Sequence, residues 1–297
     1  MAKILFTEHN FCPETPVRLI EAGHEVDIVK EEVANVHEFD RTALLATLKD
    51  SQPDVLVVGF KFQIDKEVLD SAPIKAIFTR TTGLDHIDLN YCKERGIEVV
   101  PLYGSELTDV VAVPELIILK TLELLRKDKK ELKDKTFGII GHGRIGKILG
   151  EYVVSLGAEL SIYDDNRNGI TAVQIVEKVG FKCPWWSLER VLSTSDVLSL
   201  NISSTEENRG FFDREKFDLM KQGSYFLNSA RPWLVDNQAL KDNLESGKLA
   251  GAWSDFPVSF EHPKLLVTNH IGGKTLESSQ KTEVIIVNKL LEWLKSH

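Results

Sequence analysis

Three glycines in the middle of the chain follow the spacing G-x-G-x-x-G. An apolar run, Thr136–Ile140, leads directly into them, and an acidic residue closes the next apolar run. Such glycines let the backbone approach the pyrophosphate of a dinucleotide at a helix N-terminus, and the acid binds the ribose hydroxyls. We therefore predict a dinucleotide site formed by Gly141, Gly143, Arg144, Ile145, Gly146 and Asp164.

The acidic residue also bears on which dinucleotide binds. The carboxylate of Asp164 would accept hydrogen bonds from ribose hydroxyls and repel a 2′-phosphate. The sequence therefore favours NAD over NADP as the cofactor.

Polar residues follow four further apolar runs of the same series. Ligands of an open parallel sheet lie outside the carboxyl ends of its strands, so these side chains should converge on one crevice. Each alone is explained equally well as a surface ion pair, a turn or a loop residue, but their combination with a nucleotide fold favours a functional site. The residues are Asn201, Arg231, Asp255 and His270.

The whole chain alternates apolar runs with amphipathic segments, which is typical of βα units on a parallel sheet. Helical spacing at 110–125 and at 282–294 predicts a connecting helix and a final helix. The predicted strands of the first series are 4–6, 25–29, 55–60 and 74–78, and those of the second are 136–140, 160–163, 197–200, 225–228, 250–254 and 265–268.

Composition narrows the class of protein. A chain of 297 residues that is 42% hydrophobic and 27% charged fits a globular protein of two domains. Its net charge of −9 argues against nucleic-acid binding. Three cysteines without metal-ligand spacing predict neither disulfides nor a metal site. Without a signal segment or a long uncharged apolar stretch, we expect no membrane contact and a cytoplasmic location.

Several stretches resemble the D-isomer-specific 2-hydroxyacid dehydrogenases, whose members include phosphoglycerate, glycerate, D-lactate and formate dehydrogenases. The resemblance extends from about residue 54 to residue 273. The matching stretches are TTGLDHID at 81–88, the glycine pattern, NSAR at 228–231, Val235 and Asp236, Ala239 and Leu240, SGK at 246–248, Gly251 and Ala252, Asp255, and HIGG at 270–273.

This resemblance implies an α/β fold of two Rossmann-like lobes, each a doubly wound parallel sheet, with an active-site cleft between them. The catalytic, substrate-binding domain would comprise 1–103 and 275–297, and the NAD-binding domain 104–274. The implied activity is hydride transfer between the nicotinamide of NAD and a small D-2-hydroxy acid or 2-keto acid.

The resemblance also implies residue roles. Arg231 would hold the substrate carboxylate and polarise the C2 oxygen, and His270 would act as the acid or base, with Glu261 as its partner. Lys61 and Gly83 would bind the substrate carboxylate. The remaining cofactor contacts would be Asn201, Ala230 and Asp255.

Three departures from the family pattern leave alternatives open. Phe260 stands where the family has a glutamate, so the pairing of Glu261 with His270 is undecided. Pro232 replaces a glycine and should push Arg231 towards extended backbone angles. The connector at 125–136 is too short for the arm that many relatives use to dimerise, so a homodimer would need another mode. The first two departures keep a non-catalytic, corepressor-like NAD-binding module as the alternative.

The side chain of the substrate is not specified by these motifs. Loops near four residues should shape its pocket, although each residue is explained equally well as exposed. These residues are His9, Lys61, Arg80 and Tyr103.

Overall fold

The computed structural model describes residues 1–8, 12–29, 41–165 and 186–297. The chain divides into two compact units, Met1–Val110 with Leu276–His297, and Val111–Thr275. Each unit is built on one parallel sheet, which confirms the predicted α/β class with two parallel-sheet lobes. No helix in the described ranges is long and apolar enough to cross a membrane.

Strands and helices alternate along most of the described chain. The strands are β1 (Lys3–Phe6), β2 (Glu25–Ile28), β3 (Val55–Val58), β4 (Ala76–Thr79), β5 (Glu98–Val100), β6 (Thr136–Ile140), β7 (Glu159–Tyr163), β8 (Val197–Leu200), β9 (Ser224–Asn228), β10 (Leu249–Ser254) and β11 (Leu265–Val267). The helices are α1 (Glu14–Glu21), α2 (Arg41–Ser51), α3 (Lys66–Asp70), α4 (Leu89–Arg95), α5 (Ala112–Lys127), α6 (Arg144–Ser155), α7 (Leu188–Thr194), α8 (Arg214–Leu219), α9 (Asn237–Glu245) and α10 (Leu276–Leu294).

The sheet of the first unit has the order β2-β1-β3-β4-β5 and is parallel throughout. Alternate residues of β3 face opposite sides, so Leu56 and Val58 enter one hydrophobic cluster while Val55 and Val57 enter another. Helix α10 adds Ile286, Val287 and Leu290 to the second cluster. The predicted final helix therefore completes the core of the first unit.

The sheet of the second unit has the order β11-β10-β9-β8-β6-β7, again parallel throughout. Strands β8 and β9 are buried along their whole length, as expected when helices cover both faces. Because all six strands run the same way, the residues that follow them meet at one edge.

The strand order of the second unit reverses between β6 and β8, which is the switch point at which such sheets bind ligands. Gly141 follows β6 there with φ +94°, a conformation that favours glycine. A Cβ on Gly141 would lie 2.7 Å from the backbone carbonyl of Asn201, which follows β8. Glycine is therefore required by the close approach of two backbone segments.

The third glycine of the pattern has a similar constraint. A Cβ on Gly146 would lie 2.2 Å from the carbonyl oxygen of Gly141, because the first turn of α6 crosses the loop closely. Gly143, in contrast, has φ −70°, and its Cβ would have no neighbour within 4 Å. The protein itself thus needs glycine at 141 and 146 but not at 143.

We expect Gly146→Ala to lower the thermal midpoint of unfolding by several degrees. The added methyl meets backbone rather than a flexible side chain, and such overpacking costs about 1–3 kcal/mol, or about 2–4 °C per kcal/mol in a domain of this size. Gly143→Ala is the matched control and should leave the midpoint unchanged. Scanning calorimetry of both variants measures the difference, and equal midpoints would contradict this account of the loop.

Candidate active site

The first turn of α6 presents a site suited to an anion. Gly143 occupies its N-cap position, and the first helical bond joins the Lys147 N–H to the Gly143 carbonyl at 3.0 Å. No side chain among the described residues caps this helix. Because the earlier N–H groups have no partner within a helix, they and the helix dipole favour a phosphate at this position.

Arg144 and Ile145 follow the cap in different environments. Arg144 is partly buried, and this burial lowers the pKa of its guanidinium. Ile145 packs against the hydrophobic cluster that contains Ile139 and Leu149. The isoleucine therefore anchors the start of the helix on the core.

Asp164 lies beside the glycine loop. Its Oδ2 accepts a hydrogen bond from the backbone N–H of His142 at 2.5 Å, and the Gly141 N–H binds the Tyr163 carbonyl at 2.9 Å. These two bonds join the end of β7 to the loop after β6. The structure thus brings together the glycines and the acid that the sequence assigned to one dinucleotide site.

His142 is a buried residue of this loop that the sequence analysis did not single out. Burial lowers the pKa of its imidazole to about 4, and the nearby positive charge of Lys147 acts in the same direction. The ring is therefore neutral at pH 7. The loop between the glycines carries no charge from this residue.

Asn201 and Ala230 stand at the ends of neighbouring strands. The Asn201 amide is turned towards the carbonyl of Ser199, at 3.1 Å, and its Oδ1 lies 3.4 Å from the Ser229 hydroxyl. The Ala230 N–H donates to Oδ1 of Asn228 at 3.0 Å. Both residues therefore lie at the carboxyl edge of the sheet.

Asn228 also fixes the backbone of Arg231, because its Nδ2 donates to the Arg231 carbonyl at 3.0 Å. Arg231 has extended angles, φ −154° and ψ 153°, as expected for a residue before proline, and Pro232 begins a 3₁₀ turn. The guanidinium donates to the Ala230 carbonyl at 2.8 Å. Pro232 thus contributes to a defined backbone at Arg231.

Asp255 organises the loop that carries His270. Its buried carboxylate accepts hydrogen bonds from the Thr268 hydroxyl at 2.6 Å and from the N–H groups of Ile271 and Gly272, both at 2.9 Å. Its backbone carbonyl accepts from the His270 N–H at 2.6 Å. One residue therefore accepts four hydrogen bonds from this loop and determines its course.

His270 adopts a left-handed backbone conformation, with φ +52°. This region is uncommon for residues other than glycine, and such residues are concentrated at functional sites. The hydrogen bonds to Asp255 on either side of His270 hold it there. The conformation therefore has an identifiable cause in the surrounding loop.

Phe256 joins the two residues that the sequence placed at the centre of the chemistry. Its ring centroid lies 4.7 Å from that of His270 and 5.8 Å from Cζ of Arg231. The phenyl group is 5% exposed. Sequence analysis missed this residue, although its position directly after Asp255 was a signal that could have found it.

Glu261 is not brought to His270. Glu261 is exposed, and within the described ranges its carboxylate forms no hydrogen bond or ion pair with the imidazole. The pair that the sequence left undecided is therefore not formed in this structure. No group of three metal-ligating side chains occurs among the described residues.

The residues assigned to the substrate lie on loops of the first unit. The Lys61 N–H donates to Oε1 of Glu8 at 2.7 Å, and the Thr81 hydroxyl donates to the Gly83 carbonyl at 2.7 Å. Of the other pocket candidates, Tyr103 is exposed, Arg80 is held in a buried ion pair with Glu8, and His9 lies outside the described residues.

Comparisons with known proteins show the family of the chain. Residues 121–272 match the model of the D-isomer specific 2-hydroxyacid dehydrogenase NAD binding domain. Glyoxylate reductase of Thermofilum pendens is 31% identical over 285 residues, which cover 86% of this chain and 82% of the relative. Hydroxypyruvate reductase of Blautia hydrogenotrophica is 29% identical and covers 86% of this chain and 88% of the relative.

A solved structure extends the likeness to the fold. The NAD⁺-bound 3-phosphoglycerate dehydrogenase of Entamoeba histolytica superposes with a TM-score of 0.80 at 25% identity, covering 99% of this chain and 95% of that protein. These relatives are enzymes, and nothing in the comparisons favours a non-catalytic module. The chain belongs to the D-isomer specific 2-hydroxyacid dehydrogenase family and is an NAD-dependent oxidoreductase of 2-hydroxy acids.

Proposed function

We propose that this protein reduces a small 2-keto acid to the D-2-hydroxy acid, with Arg231 binding the substrate carboxylate and His270 supplying the proton. The observation that carries the proposal is the meeting of these two side chains at Phe256. NADH, when bound, supplies the hydride. Glyoxylate and hydroxypyruvate are the first candidates, since they are the substrates named for two relatives.

Arg231 suits the binding role because its planar guanidinium can donate two parallel hydrogen bonds to a carboxylate. Its backbone is held by Asn228 on one side and by Pro232 on the other. A fixed backbone reduces the conformational entropy that is lost when the side chain binds the substrate. The same positive charge polarises the C2 carbonyl oxygen and makes C2 more electrophilic.

His270 suits the proton transfer because an imidazole has an ordinary pKa of about 6.5, near the working pH. In reduction, the imidazolium gives a proton to the C2 oxygen as that oxygen gains negative charge. In the reverse direction, the neutral imidazole removes the proton from the hydroxyl. We assign no part of this exchange to Glu261, whose carboxylate is exposed.

Asp255 acts on the reaction through His270. The sequence assigned it to the cofactor. We propose a positioning role in place of that contact, because its carboxylate holds the residues on both sides of His270. The Thr268 hydroxyl is itself fixed by the indole N–H of Trp253 at 3.0 Å. A series of hydrogen bonds therefore connects the buried strand β10 with the loop that carries His270.

The residues around the glycine loop fit a dinucleotide. The close backbone crossing at Gly141 and Gly146 and the first turn of α6, which has no side-chain cap, suit the close approach of a pyrophosphate to the backbone. We propose that Gly141, Gly143, Arg144, Ile145, Gly146, Asn201 and Ala230 line this site and that Asp164 binds the adenosine ribose. Lys61 and Gly83 are proposed to contact the substrate carboxylate.

Oxidation of NADH with glyoxylate, hydroxypyruvate and pyruvate tests the function directly. We expect turnover by the wild-type protein and a fall in kcat of about 10²–10⁴-fold in His270→Asn. Asparagine tolerates the left-handed backbone but cannot exchange a proton at neutral pH. His24→Asn, which changes a histidine of the first unit, is the control and should keep full activity. Absence of turnover with every keto acid, or full activity of His270→Asn, would refute the proposal.

Asp255→Asn tests the positioning role. The N–H groups of Ile271 and Gly272 bind different oxygens of the carboxylate, so an amide N–H₂ group in place of one oxygen leaves one of them without its acceptor. We therefore expect kcat to fall by about tenfold or more while the Kd for NADH changes little. Asp213→Asn is the control, because Asp213 also accepts a backbone N–H, that of Lys216, at the start of α8. Asp213→Asn should lower the thermal midpoint of unfolding but leave kcat unchanged. A parallel loss of NADH binding in Asp255→Asn would instead indicate a direct cofactor contact.

Asp164→Asn tests the selection of NAD. The amide oxygen can still accept the His142 N–H, but the charge that repels a 2′-phosphate is lost. We expect the wild-type protein to bind NADH more tightly than NADPH, as measured by fluorescence titration. In the variant, the ratio of the Kd for NADPH to the Kd for NADH should be about tenfold smaller. Equal wild-type affinities for the two cofactors would show that Asp164 does not discriminate between them.

A further inference from the structure

Phe256 lies just beyond β10, and a buried serine fixes its backbone. The Ser254 hydroxyl donates to the Phe256 carbonyl at 2.9 Å and accepts the Phe256 N–H at 3.1 Å. Ser254 is the last residue of β10 and is 2% exposed. Pro257 restricts the backbone of Phe256 further, because the residue before a proline avoids the helical region. The ring therefore extends from a backbone that the end of the strand holds in place.

The order of the sheet places this ring between two other residues of the site. Strand β10 lies between β9 and β11, so Phe256 emerges between Arg231, which comes after β9, and His270, which comes after β11. The ring of Phe256 contacts both. Its centroid lies 4.7 Å from that of His270, at an interplanar angle of 47°, and 5.8 Å from Cζ of Arg231.

Both contacts use the aromatic character of Phe256. At these distances a phenyl ring attracts a guanidinium over its face and also attracts a second ring, and the attraction for a cation increases where water is excluded. At 5% exposure, the phenyl group is almost completely removed from water. A leucine would fill much of the same volume but has no π face.

The relative position of Arg231 and His270 matters for the reaction. The carboxylate and the C2 oxygen of a 2-keto acid are bonded to adjacent carbon atoms, so the group that binds one and the group that protonates the other need a fixed separation. A misplacement of about 1 Å can lower the rate by about 10²-fold. Arg231 and His270 come from separate loops, and Phe256 contacts both of their side chains.

We propose that Phe256 is a positioning residue, whose ring holds the guanidinium of Arg231 and the imidazole of His270 in the arrangement that the 2-keto acid requires. This inference rests on the proposed function, which gives these two side chains their roles. Phe256 acts through them and needs no contact with the substrate. Its effect on kcat therefore depends on the presence of the imidazole.

Phe256→Leu tests this role in steady-state kinetics with glyoxylate and NADH. Loss of the aromatic contacts allows both side chains to take other orientations. We expect kcat to fall by about tenfold and the KM for glyoxylate to rise by about threefold or more. Phe256→Met, whose flexible side chain can fill the remaining space without a π face, should show the same losses.

Phe217→Leu is the matched control. Phe217 is also a buried phenylalanine of the second unit, and its ring centroid lies 4.6 Å from that of Phe212 and 5.1 Å from that of Phe226. The control should lower the thermal midpoint of unfolding but leave kcat and KM unchanged. An equal loss of kcat in the two leucine variants would contradict the proposal, because it would assign the loss to the packing of the unit as a whole.

A double-mutant cycle separates positioning from a general effect on the site. In the His270→Asn background no imidazole remains for the ring to orient, so Phe256→Leu should lower the residual kcat by about threefold or less. In the wild-type background the same change should cost about tenfold. Equal costs in the two backgrounds would show that Phe256 does not act through His270, and would overturn the proposal.

Proton NMR gives a readout that needs no turnover. The ring current of Phe256 displaces the resonances of the carbon-bound protons of the His270 imidazole, which are identified by their loss in His270→Asn. These resonances should move in Phe256→Leu and keep their positions in Phe217→Leu. Unmoved resonances in Phe256→Leu would refute the positioning role even if the protein reduces a keto acid. Absence of turnover with every keto acid instead refutes the proposed function and, with it, the role assigned to the ring.

Discussion

The parallel direction of all six strands in the second unit is the constraint on which its site depends. It places the glycine loop after β6, Asn201 after β8, Arg231 after β9 and Asp255 after β10 along one edge, although they are distant in sequence. These residues also need fixed orientations, which hydrogen bonds between side chains and the backbone provide. The Asn228 amide donates to the Arg231 carbonyl, and the Asp255 carboxylate accepts from the backbone of the loop that carries His270.

The strained backbone at His270 illustrates how a core supports a reactive group. The left-handed conformation costs free energy, of order 1–3 kcal/mol for a residue held in a sparsely populated region. The three donors to the Asp255 carboxylate offset this cost. The imidazole is thus held on Phe256 by contacts that begin in the sheet rather than in the loop itself.

Much of the fold and of the candidate site could be predicted from the sequence, and the features that were missed have physical reasons. Strands β6 and β8 begin and end at the predicted residues, because parallel strands that are buried along almost their whole length are predominantly apolar in sequence. Strand β5 was missed because it is only three residues long and partly exposed. The contact of Phe256 with both His270 and Arg231 could not be predicted, since it depends on the direction in which the ring points. The position of the Glu261 side chain relative to His270 could not be predicted either, because the length of a loop does not determine where its side chains point.

Helix α10 follows the whole second unit in the sequence, yet its apolar face and Glu283 belong to the core of the first unit. The ribosome therefore releases every residue of the second unit before it releases the helix that completes the first. Domains generally fold as units during synthesis. The core of the first unit therefore cannot be completed during synthesis until the whole second unit and then α10 have left the ribosome, although most of the first unit is made first.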